Sequence, residues 1–249
     1  MTPLAALLDL LAPQVPQAPG SAASTRRALA AVGPLPPRPR LADLGCGQGA
    51  SALVLAGDTG GEVLALDALP EMVHATQSRA EAAGLKTLRA VVGDMAAPPI
   101  PPGSLDLLWS EGAAYAIGFE HALEVWRPLL KPGGAIALTE LCWRVSEPPP
   151  QAAAFWSAAY PAMQHADACQ RAFEAAGFRL LDRFFLPEED WAAYYTPIAT
   201  RLPAFRDTHA DDPVAIGVAD EMAAEIEAWR CDGEAWGYLF LIGRRADRP

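Results

Sequence analysis

The clearest candidates for a functional site are three glycines within five positions, Gly45, Gly47 and Gly49, which closely follow Asp43. A short apolar run leads into this stretch, and small and apolar residues follow it, which predicts a buried strand that turns abruptly into a helix. Glycine at such a turn removes the Cβ that would obstruct a ligand lying against the backbone. The helix that opens there offers unpaired N–H groups and the positive end of its dipole. The stretch therefore predicts a ligand-binding loop.

The glycine spacing leaves two kinds of ligand open. Residues 45–50 satisfy the loose pattern of dinucleotide-binding loops. A pyrophosphate-binding loop would normally follow an apolar strand, however, because a carboxylate such as Asp43 repels phosphate. An acid at this position suits a ligand that carries an ammonium group.

Strands and helices must alternate around this loop. Apolar runs predict strands at 41–44, 62–66, 88–92, 105–109, 135–141, 178–185 and 236–242. Helical segments separate most of them, and this rhythm is typical of a parallel sheet covered on both faces. We therefore predict an α/β, Rossmann-like fold with a seven-stranded, mostly parallel sheet, an antiparallel last strand and a helical insertion before that strand.

The chain outside the sheet divides into two further regions. Residues 1–40 are broken by prolines and predict an N-terminal helical arm, which could be a packing arm or a flap over the ligand. Residues 41–249 form the main domain. Its insertion, 187–235, is rich in aromatic and acidic residues and predicts a lid or a substrate-shaping element, with an oligomer contact as the alternative.

Composition excludes several classes of partner. The formal net charge is -11, which argues against nucleic acid and against an anionic membrane. The four cysteines are far apart and show no metal-ligand spacing, so we expect no metal and isolated thiols in a reducing, cytoplasmic setting. The N-terminus lacks a basic region and a cleavage site, and no segment reaches the length of a membrane span. We expect a small-molecule partner and a monomer or homodimer.

Five motifs in order carry a family resemblance. They are residues 43–49, the acid Asp67, the pair Gly93-Asp94, the run 99–108 and the segment 129–134. On these residues the chain resembles the class I S-adenosylmethionine-dependent methyltransferases. Residues 109–120 narrow the likeness to bacterial small-molecule methyltransferases with a core like that of the ubiquinone and menaquinone biosynthesis enzymes. The resemblance identifies 41–249 as the methyltransferase domain.

The resemblance implies a site for S-adenosyl-L-methionine, with S-adenosyl-L-homocysteine as product. Asp43 and the backbone of Gly45 and Gly47 would hold the methionine moiety, and Asp67 would accept hydrogen bonds from both ribose hydroxyls. Asp94 would bind the adenine amine. The other implied contacts are Met95 beside the adenine ring, Met72 or Leu69 on its face, and Gly49, Ala68 and Ser110 nearby. Segment 131–134 suits a helix end and the turn into the next strand, so we assign it no catalytic role.

The acceptor side depends on residues near the ends of the fourth and fifth strands. Glu111, Tyr115 and Glu140 are the candidate catalytic residues. Methyl transfer is an in-line displacement, in which the protein chiefly aligns and desolvates the nucleophile, so no acid or base is obligatory. A carboxylate could still position an amine or hydroxyl, and nearby aromatic residues could stabilise a cation. The glutamates favour an amine or otherwise cationic substrate; alternatively, they bind the cofactor's ammonium group or a tyrosine.

Several alternatives stay open. His121 and His165 could act as bases, although a histidine without a partner in sequence is more often structural. The predicted function is transfer of a methyl group to an O, N or C nucleophile of a small molecule. The alternatives are a nicotinamide-dependent oxidoreductase and a non-catalytic scaffold that binds S-adenosylmethionine.

Overall fold

A computed structural model describes residues 1–12 and 14–246. Residues 247–249, the end of the predicted domain 41–249, lie outside the described residues. Within the described residues the chain forms one sheet with helices around it. The strands are β1 Arg40–Leu44, β2 Glu62–Asp67, β3 Leu88–Val92, β4 Leu105–Ser110, β5 Leu130–Trp143, β6 Gln164–His165, β7 Phe178–Phe185 and β8 Trp236–Arg245.

The sheet order is β3-β2-β1-β4-β5-β8-β7, and the two-residue β6 pairs with β5 beside this path. The pairings among β1 to β6 are parallel, and β8 runs antiparallel to both β5 and β7. The predicted mostly parallel sheet with an antiparallel last strand is therefore confirmed, with β6 as an eighth strand. Its two residues are too few for an apolar pattern to predict.

Helices cover both faces of the sheet, and its central strands are therefore buried on both sides. Leu107 and Trp109 of β4 belong to one apolar cluster, whereas Leu108 between them belongs to a second cluster on the opposite face. Adjacent residues of a strand point to opposite faces, so a strand buried on both faces reads as a continuous apolar run. The helices are α1 Pro3–Leu11, α2 Ala22–Val32, α3 Ala50–Thr59, α4 Pro70–Ala82, α5 Phe119–Trp126, α6 Pro150–Ala159, α7 Ala166–Ala175, α8 Glu188–Thr208 and α9 Pro213–Asp232.

The segment 131–134 differs from its prediction as a helix end and turn. It lies within β5, and Lys131 Nζ pairs with Asp106 Oδ1 at 2.7 Å, so the lysine tethers β5 to the neighbouring strand β4. Gly133 has φ of 68°, a left-handed conformation that glycine adopts without strain. The pair is structural and lies in the first part of β5.

The insertion and the N-terminal arm pack against each other. The insertion consists of the two helices α8 and α9, and α1 lies against both. Arg201 of α8 donates two hydrogen bonds to the carbonyl oxygen of Leu10, at 3.2 and 2.9 Å, and a third to Gln14 Oε1 at 2.9 Å. In addition, Ser24 Oγ of α2 donates to Asp190 Oδ2 at 2.5 Å. Polar contacts therefore join the arm to the insertion at several points.

Candidate active site

The glycine loop connects β1 to α3 and is attached to the next strand. Gly45 and Cys46 donate their backbone N–H groups to the carbonyl oxygen of Leu66 in β2, at 2.8 and 3.0 Å. Gly45, Gly47 and Gly49 all have positive φ values, of 75°, 51° and 78°. A Cβ on Gly45 would lie 2.3 Å from Ala113 Cβ, whereas one on Gly47 would meet nothing within 4 Å. Gly45 is therefore required by packing, and Gly47 leaves open space beside its backbone.

Asp67, at the end of β2, is hydrogen-bonded to the same glycine loop. Its Oδ2 accepts a hydrogen bond from the backbone N–H of Gly47 at 2.9 Å, and its Oδ1 accepts one from Leu69 at 3.0 Å. Each carboxylate oxygen has more than one acceptor site, so both can still accept from ligand hydroxyls. The backbone bonds fix the direction of the carboxylate.

A first cavity of about 790 Å³ lies over these elements, at the carboxyl ends of β1 to β4. Open α/β sheets bind ligands at this end. The predicted cofactor residues that line this cavity are Gly45, Gly47, Asp67, Ala68, Met72, Asp94 and Met95, together with Leu69. The sequence prediction thus names residues that the structure brings together around one cavity. Their contact with a ligand stays a prediction.

Three predicted cofactor residues lie behind the lining. Ser110 is fully buried and its hydroxyl donates to the Leu44 carbonyl oxygen at 2.8 Å, which ties β4 to β1. Gly49 faces Thr76, whose side chain would lie 2.7 Å from an added Cβ. Asp43 is also fully buried. We therefore place these residues as supports of the loop, because none of them lines the first cavity.

The Asp43 carboxylate has one oxygen that is bonded and one that is not. Its Oδ2 accepts a hydrogen bond from Ser51 Oγ at 2.6 Å, while its Oδ1 is buried without a hydrogen-bond partner among the described residues. Burial raises the pKa of this carboxyl to about 7, the nearby charge of Asp67 adds to the rise, and the bond from Ser51 opposes it. A buried acceptor without a donor is costly, so a donor group or a water at the loop would stabilise the protein.

A second cavity of about 430 Å³ adjoins the first. The residues that line both are Leu4, Gln17, Ala18, Pro19, Gly112 and Tyr115. The second cavity extends from this junction between α1, α6, α8 and α9, and six aromatic side chains line it: Tyr115, Trp156, Tyr160, Trp191, Tyr194 and Tyr238. Together the two cavities offer room for two ligands side by side.

Glu111 lies on the wall of the first cavity. Its Oε1 accepts hydrogen bonds from Trp109 Nε1 at 2.7 Å and from Thr25 Oγ1 at 2.8 Å. Burial raises the pKa of the Glu111 carboxyl to about 7, against the lowering effect of these two bonds. The carboxyl therefore takes up or releases a proton near neutral pH, as a group that handles an acceptor's proton must.

Glu140 is 3% exposed and lines neither cavity. Its Oε1 accepts a hydrogen bond from Tyr160 OH at 2.7 Å, and burial raises its pKa to about 7. Tyr160 lines the second cavity and its ring meets that of Tyr115 edge-on, with centroids 6.1 Å apart. The bond from Tyr160 fits the alternative in which Glu140 binds a tyrosine, and direct action of Glu140 on a substrate stays a prediction. Tyr115, half exposed at the junction of the cavities, stays a catalytic candidate.

Sequence reasoning missed Glu225, on α9. It lines the second cavity, and its Oε1 accepts a hydrogen bond from Tyr195 OH at 2.7 Å. Burial raises the pKa of its carboxyl. The one signal in the sequence was the general richness of 187–235 in acids and aromatics, which does not distinguish this acid from its neighbours.

The histidines line neither cavity. His165 Nδ1 lies 3.1 Å from the Val145 carbonyl oxygen, and His121 pairs with Glu124 at 3.9 Å on an exposed face. Across residues 1–12 and 14–246, no three His, Cys, Asp or Glu side chains cluster so as to hold a metal ion, and no helix there is long and apolar enough to cross a membrane. The two histidines considered as bases therefore do not reach the candidate site.

Comparison with known proteins supports the family resemblance. Residues 41–134 match the family described as "Methyltransferase domain". This stretch runs from β1 into β5 and holds the glycine loop, Asp67, Asp94 and Glu111. With the strand order and the site, the match confirms the predicted resemblance to the class I S-adenosylmethionine-dependent methyltransferases.

The similar proteins differ in how much of this chain aligns with them. Nocamycin O-methyltransferase of Saccharothrix syringae is 38% identical over 108 residues, which are 41% of this chain and 39% of that protein. The aligned part thus spans about two fifths of that relative's length. A methyltransferase from Geobacter sulfurreducens, crystallised with S-adenosyl-L-homocysteine, superposes with a TM-score of 0.82 at 19% identity over 96% of this chain and 97% of its own. The [4+2]-cyclase SpnF gives 0.77 at 20% identity over 98% and 94%. At these identities the structural likeness shows the fold alone.

Proposed function

We propose that the chain is an S-adenosylmethionine-dependent methyltransferase that transfers a methyl group to an O, N or C nucleophile of a small molecule. The carrying observation is the first cavity, where the glycine loop of a matched methyltransferase domain meets Asp67 and Asp94 at the carboxyl ends of three successive strands. We also propose that the protein is cytoplasmic and acts as a monomer or homodimer.

The residues present fit the methyl donor. Asp43 supports the loop from behind the cavity lining, and its buried Oδ1 acceptor can take a hydrogen bond from a donor group or a water that reaches the loop. Asp67 is held in place by two backbone N–H groups and can accept from ribose hydroxyls. Asp94 is exposed at the cavity, where its free oxygen can accept from an adenine amine, and Met72 offers an apolar surface to the ring. When bound, the donor supplies an electrophilic methyl group on a sulfonium.

The chain's own contribution to the reaction is alignment and desolvation. Ala18, Gly112 and Tyr115 line both cavities, so an acceptor in the second cavity reaches the first at this junction. Glu111, with a pKa near neutrality, can take a proton from an acceptor hydroxyl or amine beside it. Placing the acceptor in line contributes more than any single base, because orientation replaces a bimolecular encounter.

Two alternatives predict different ligands. A nicotinamide-dependent oxidoreductase would bind NAD(P), but Asp43 behind the loop disfavours a pyrophosphate. The name of SpnF, a [4+2]-cyclase, shows that this fold also occurs in a protein named for a reaction other than methyl transfer. A non-catalytic scaffold would bind the donor without transferring its methyl group.

The test is incorporation of labelled methyl groups from S-adenosylmethionine into small-molecule extracts by the purified chain. We expect labelled products that disappear with Asp67→Ala and persist with Glu71→Gln, an exposed acid in the first turn of α4 that does not line the cavity. Donor binding without incorporation across polar and apolar extracts would contradict the proposal and favour the scaffold.

A further inference from the structure

The second cavity combines aromatic walls with an uncompensated acid. None of the described residues that line it is Lys, Arg or His, and two are acids, Glu221 and Glu225. Glu225 forms no ion pair within the described part of the chain. Its one recorded partner is the neutral hydroxyl of Tyr195. Glu225 is half-buried and Glu221 is exposed, and a cation beside a carboxylate that is partly shielded from water stabilises it.

The tyrosines around Glu225 cannot supply a positive charge, because a tyrosine hydroxyl is either neutral or negatively charged. Burial, and after it the charge of Glu225, raises the pKa of Tyr194, and the same two causes act on Tyr195. Tyr238 also has a raised pKa, with burial as the first cause and Glu225 among the others. These hydroxyls therefore stay neutral. Their ring faces and those of the tryptophans can attract a cation but cannot replace one.

Two further groups indicate that the cavity is built for a ligand. Trp156 is 7% exposed and lines the cavity, and its indole N–H has no hydrogen-bond partner among the described residues. The amide nitrogen of Gln17, at the junction of the cavities, is also buried without one. Both are donors, so they require an acceptor atom that the described protein does not provide. An oxygen on the ligand would satisfy either.

The rim of the two cavities carries large apolar side chains, which suit a ligand with an apolar group. Leu4 and Tyr115, which are 49% and 51% exposed, line both cavities, and Val15, which is 40% exposed, lines the first. Large apolar side chains at a rim favour ligands with apolar surface, since their burial removes that surface from water.

We propose that the methyl acceptor is a small amine with an apolar body and an oxygen acceptor, and that Glu225 binds its ammonium group in the second cavity. This inference rests on the proposed function. Glu225 lines the second cavity and not the first, so it anchors the acceptor at the end remote from the methyl donor. It is a specificity residue, and the methylated atom lies toward the Gly112 junction.

The test uses three probes with one apolar body: 3-phenylpropylamine, 3-phenylpropan-1-ol and 3-phenylpropanoate. Each is titrated calorimetrically into the full chain saturated with S-adenosyl-L-homocysteine at pH 7.5. We expect the amine to bind at least tenfold more tightly than the alcohol, and the carboxylate to bind most weakly. Equal affinities for the amine and the alcohol would overturn the inference.

Two variants on one helix isolate the role of Glu225. Glu225→Gln keeps an oxygen that can accept from Tyr195 and removes the charge, so the amine should lose its tenfold preference while affinity for the alcohol stays within threefold. Glu227→Gln, an exposed acid two residues along α9 that lines neither cavity, should retain the preference. A preference that survives in Glu225→Gln would overturn the assignment.

The two proposals fail in different ways. Because Glu225 lies outside the first cavity, both variants should bind S-adenosyl-L-homocysteine like the parent chain, which also shows that they fold. Normal binding of that product with no amine preference refutes only the amine inference. Absence of its binding in the parent chain refutes the proposed function instead.

Discussion

Asp67 accepts the backbone N–H of Gly47 at 2.9 Å, so the acid that ends β2 holds the glycine loop that ends β1. This bond places the carboxylate and the open backbone of the loop on the same cavity wall. Since Gly47 would tolerate a Cβ without a clash in the protein alone, the space beside it is available to a ligand.

The first prediction concerns Asp67. We expect Asp67→Asn to weaken binding of S-adenosyl-L-homocysteine by roughly 10- to 100-fold, because hydrogen bonds to a charged acceptor contribute about 1.5–3 kcal/mol. Titration calorimetry measures the loss, with Glu71→Gln as the control of equal charge change. An affinity within twofold of the parent chain would show that Asp67 does not contact the ligand.

The second prediction separates backbone strain from ligand contact. Gly47 and Gly84 have positive φ values of 51° and 69°, and an added Cβ meets nothing within 4 Å at either. Gly47→Ala and Gly84→Ala should therefore lower the free energy of unfolding by a similar amount, about 1–2 kcal/mol. Only Gly47→Ala should also lose affinity for S-adenosyl-L-homocysteine, by tenfold or more, because only Gly47 lines the first cavity. Equal affinities in the two variants would place the ligand elsewhere.

Gly45→Ala should be more severe than either. Its Cβ would lie 2.3 Å from Ala113 Cβ, which no side-chain rotation relieves because both atoms are fixed to the backbone. We expect a lower melting temperature than for Gly47→Ala, and scanning calorimetry of the two variants side by side measures the difference. Melting temperatures in the reverse order would contradict the packing described at Ala113.

The third prediction follows from the raised pKa of Glu140. Its ordinary value of 4.5 becomes about 7 in the folded protein, so between these pH values the native state holds a proton that the unfolded state has released. Stability from this group is therefore present at low pH and falls as pH rises toward 7, by at most about 1.4 kcal/mol per pH unit. Glu140→Gln should flatten that slope. Urea unfolding at pH 5, 6 and 7 measures it for both chains.

The control for this slope is Glu124→Gln, since Glu124 is 82% exposed in its side chain. We expect its slope to match that of the parent chain. If Glu140→Gln also kept the parent slope, Glu140 would be ionised throughout, contrary to its burial under Tyr160.

The fourth prediction tests the flap interpretation of the N-terminal arm. Residues 15–22 line the first cavity, so donor binding should cover them. Hydrogen exchange with and without S-adenosyl-L-homocysteine should show slower exchange of amides in 17–22. Helix α7, none of whose residues line this cavity, should exchange equally in both states. Unchanged exchange in 17–22 would support a packing arm instead.

Much of the fold was predictable because the pattern of apolar residues that marks a strand or helix lies within that segment of the sequence. The bounds of β3 and β7 agree with the predicted 88–92 and 178–185; Gly93 follows β3 and Gly177 precedes β7. β5 begins at Leu130, five residues before the predicted start, and Lys131, Pro132 and two glycines follow, all of which disfavour strands. Leu130 pairs with Leu105 of β4 and pairing resumes at Ala135, while the pair between Lys131 and Asp106 joins the two strands across the irregular stretch between them.

The candidate site was predictable where it follows strand ends. Asp67 and Asp94 come directly after apolar runs, so their positions at one edge of the sheet follow from topology. Glu225 is different, because it reaches the cavity through the packing of α9 against α1 and α6, which no local pattern encodes. The burial of Glu140 beneath Tyr160 likewise depends on where α6 packs.

Calorimetric titration of the purified chain with S-adenosyl-L-homocysteine, alongside NAD and NADP, tests the central claim most directly. We predict saturable binding of S-adenosyl-L-homocysteine at one site per chain and no heat from either nicotinamide. Binding of NAD or NADP without a response to S-adenosyl-L-homocysteine would contradict the assignment of the first cavity to a methyl donor.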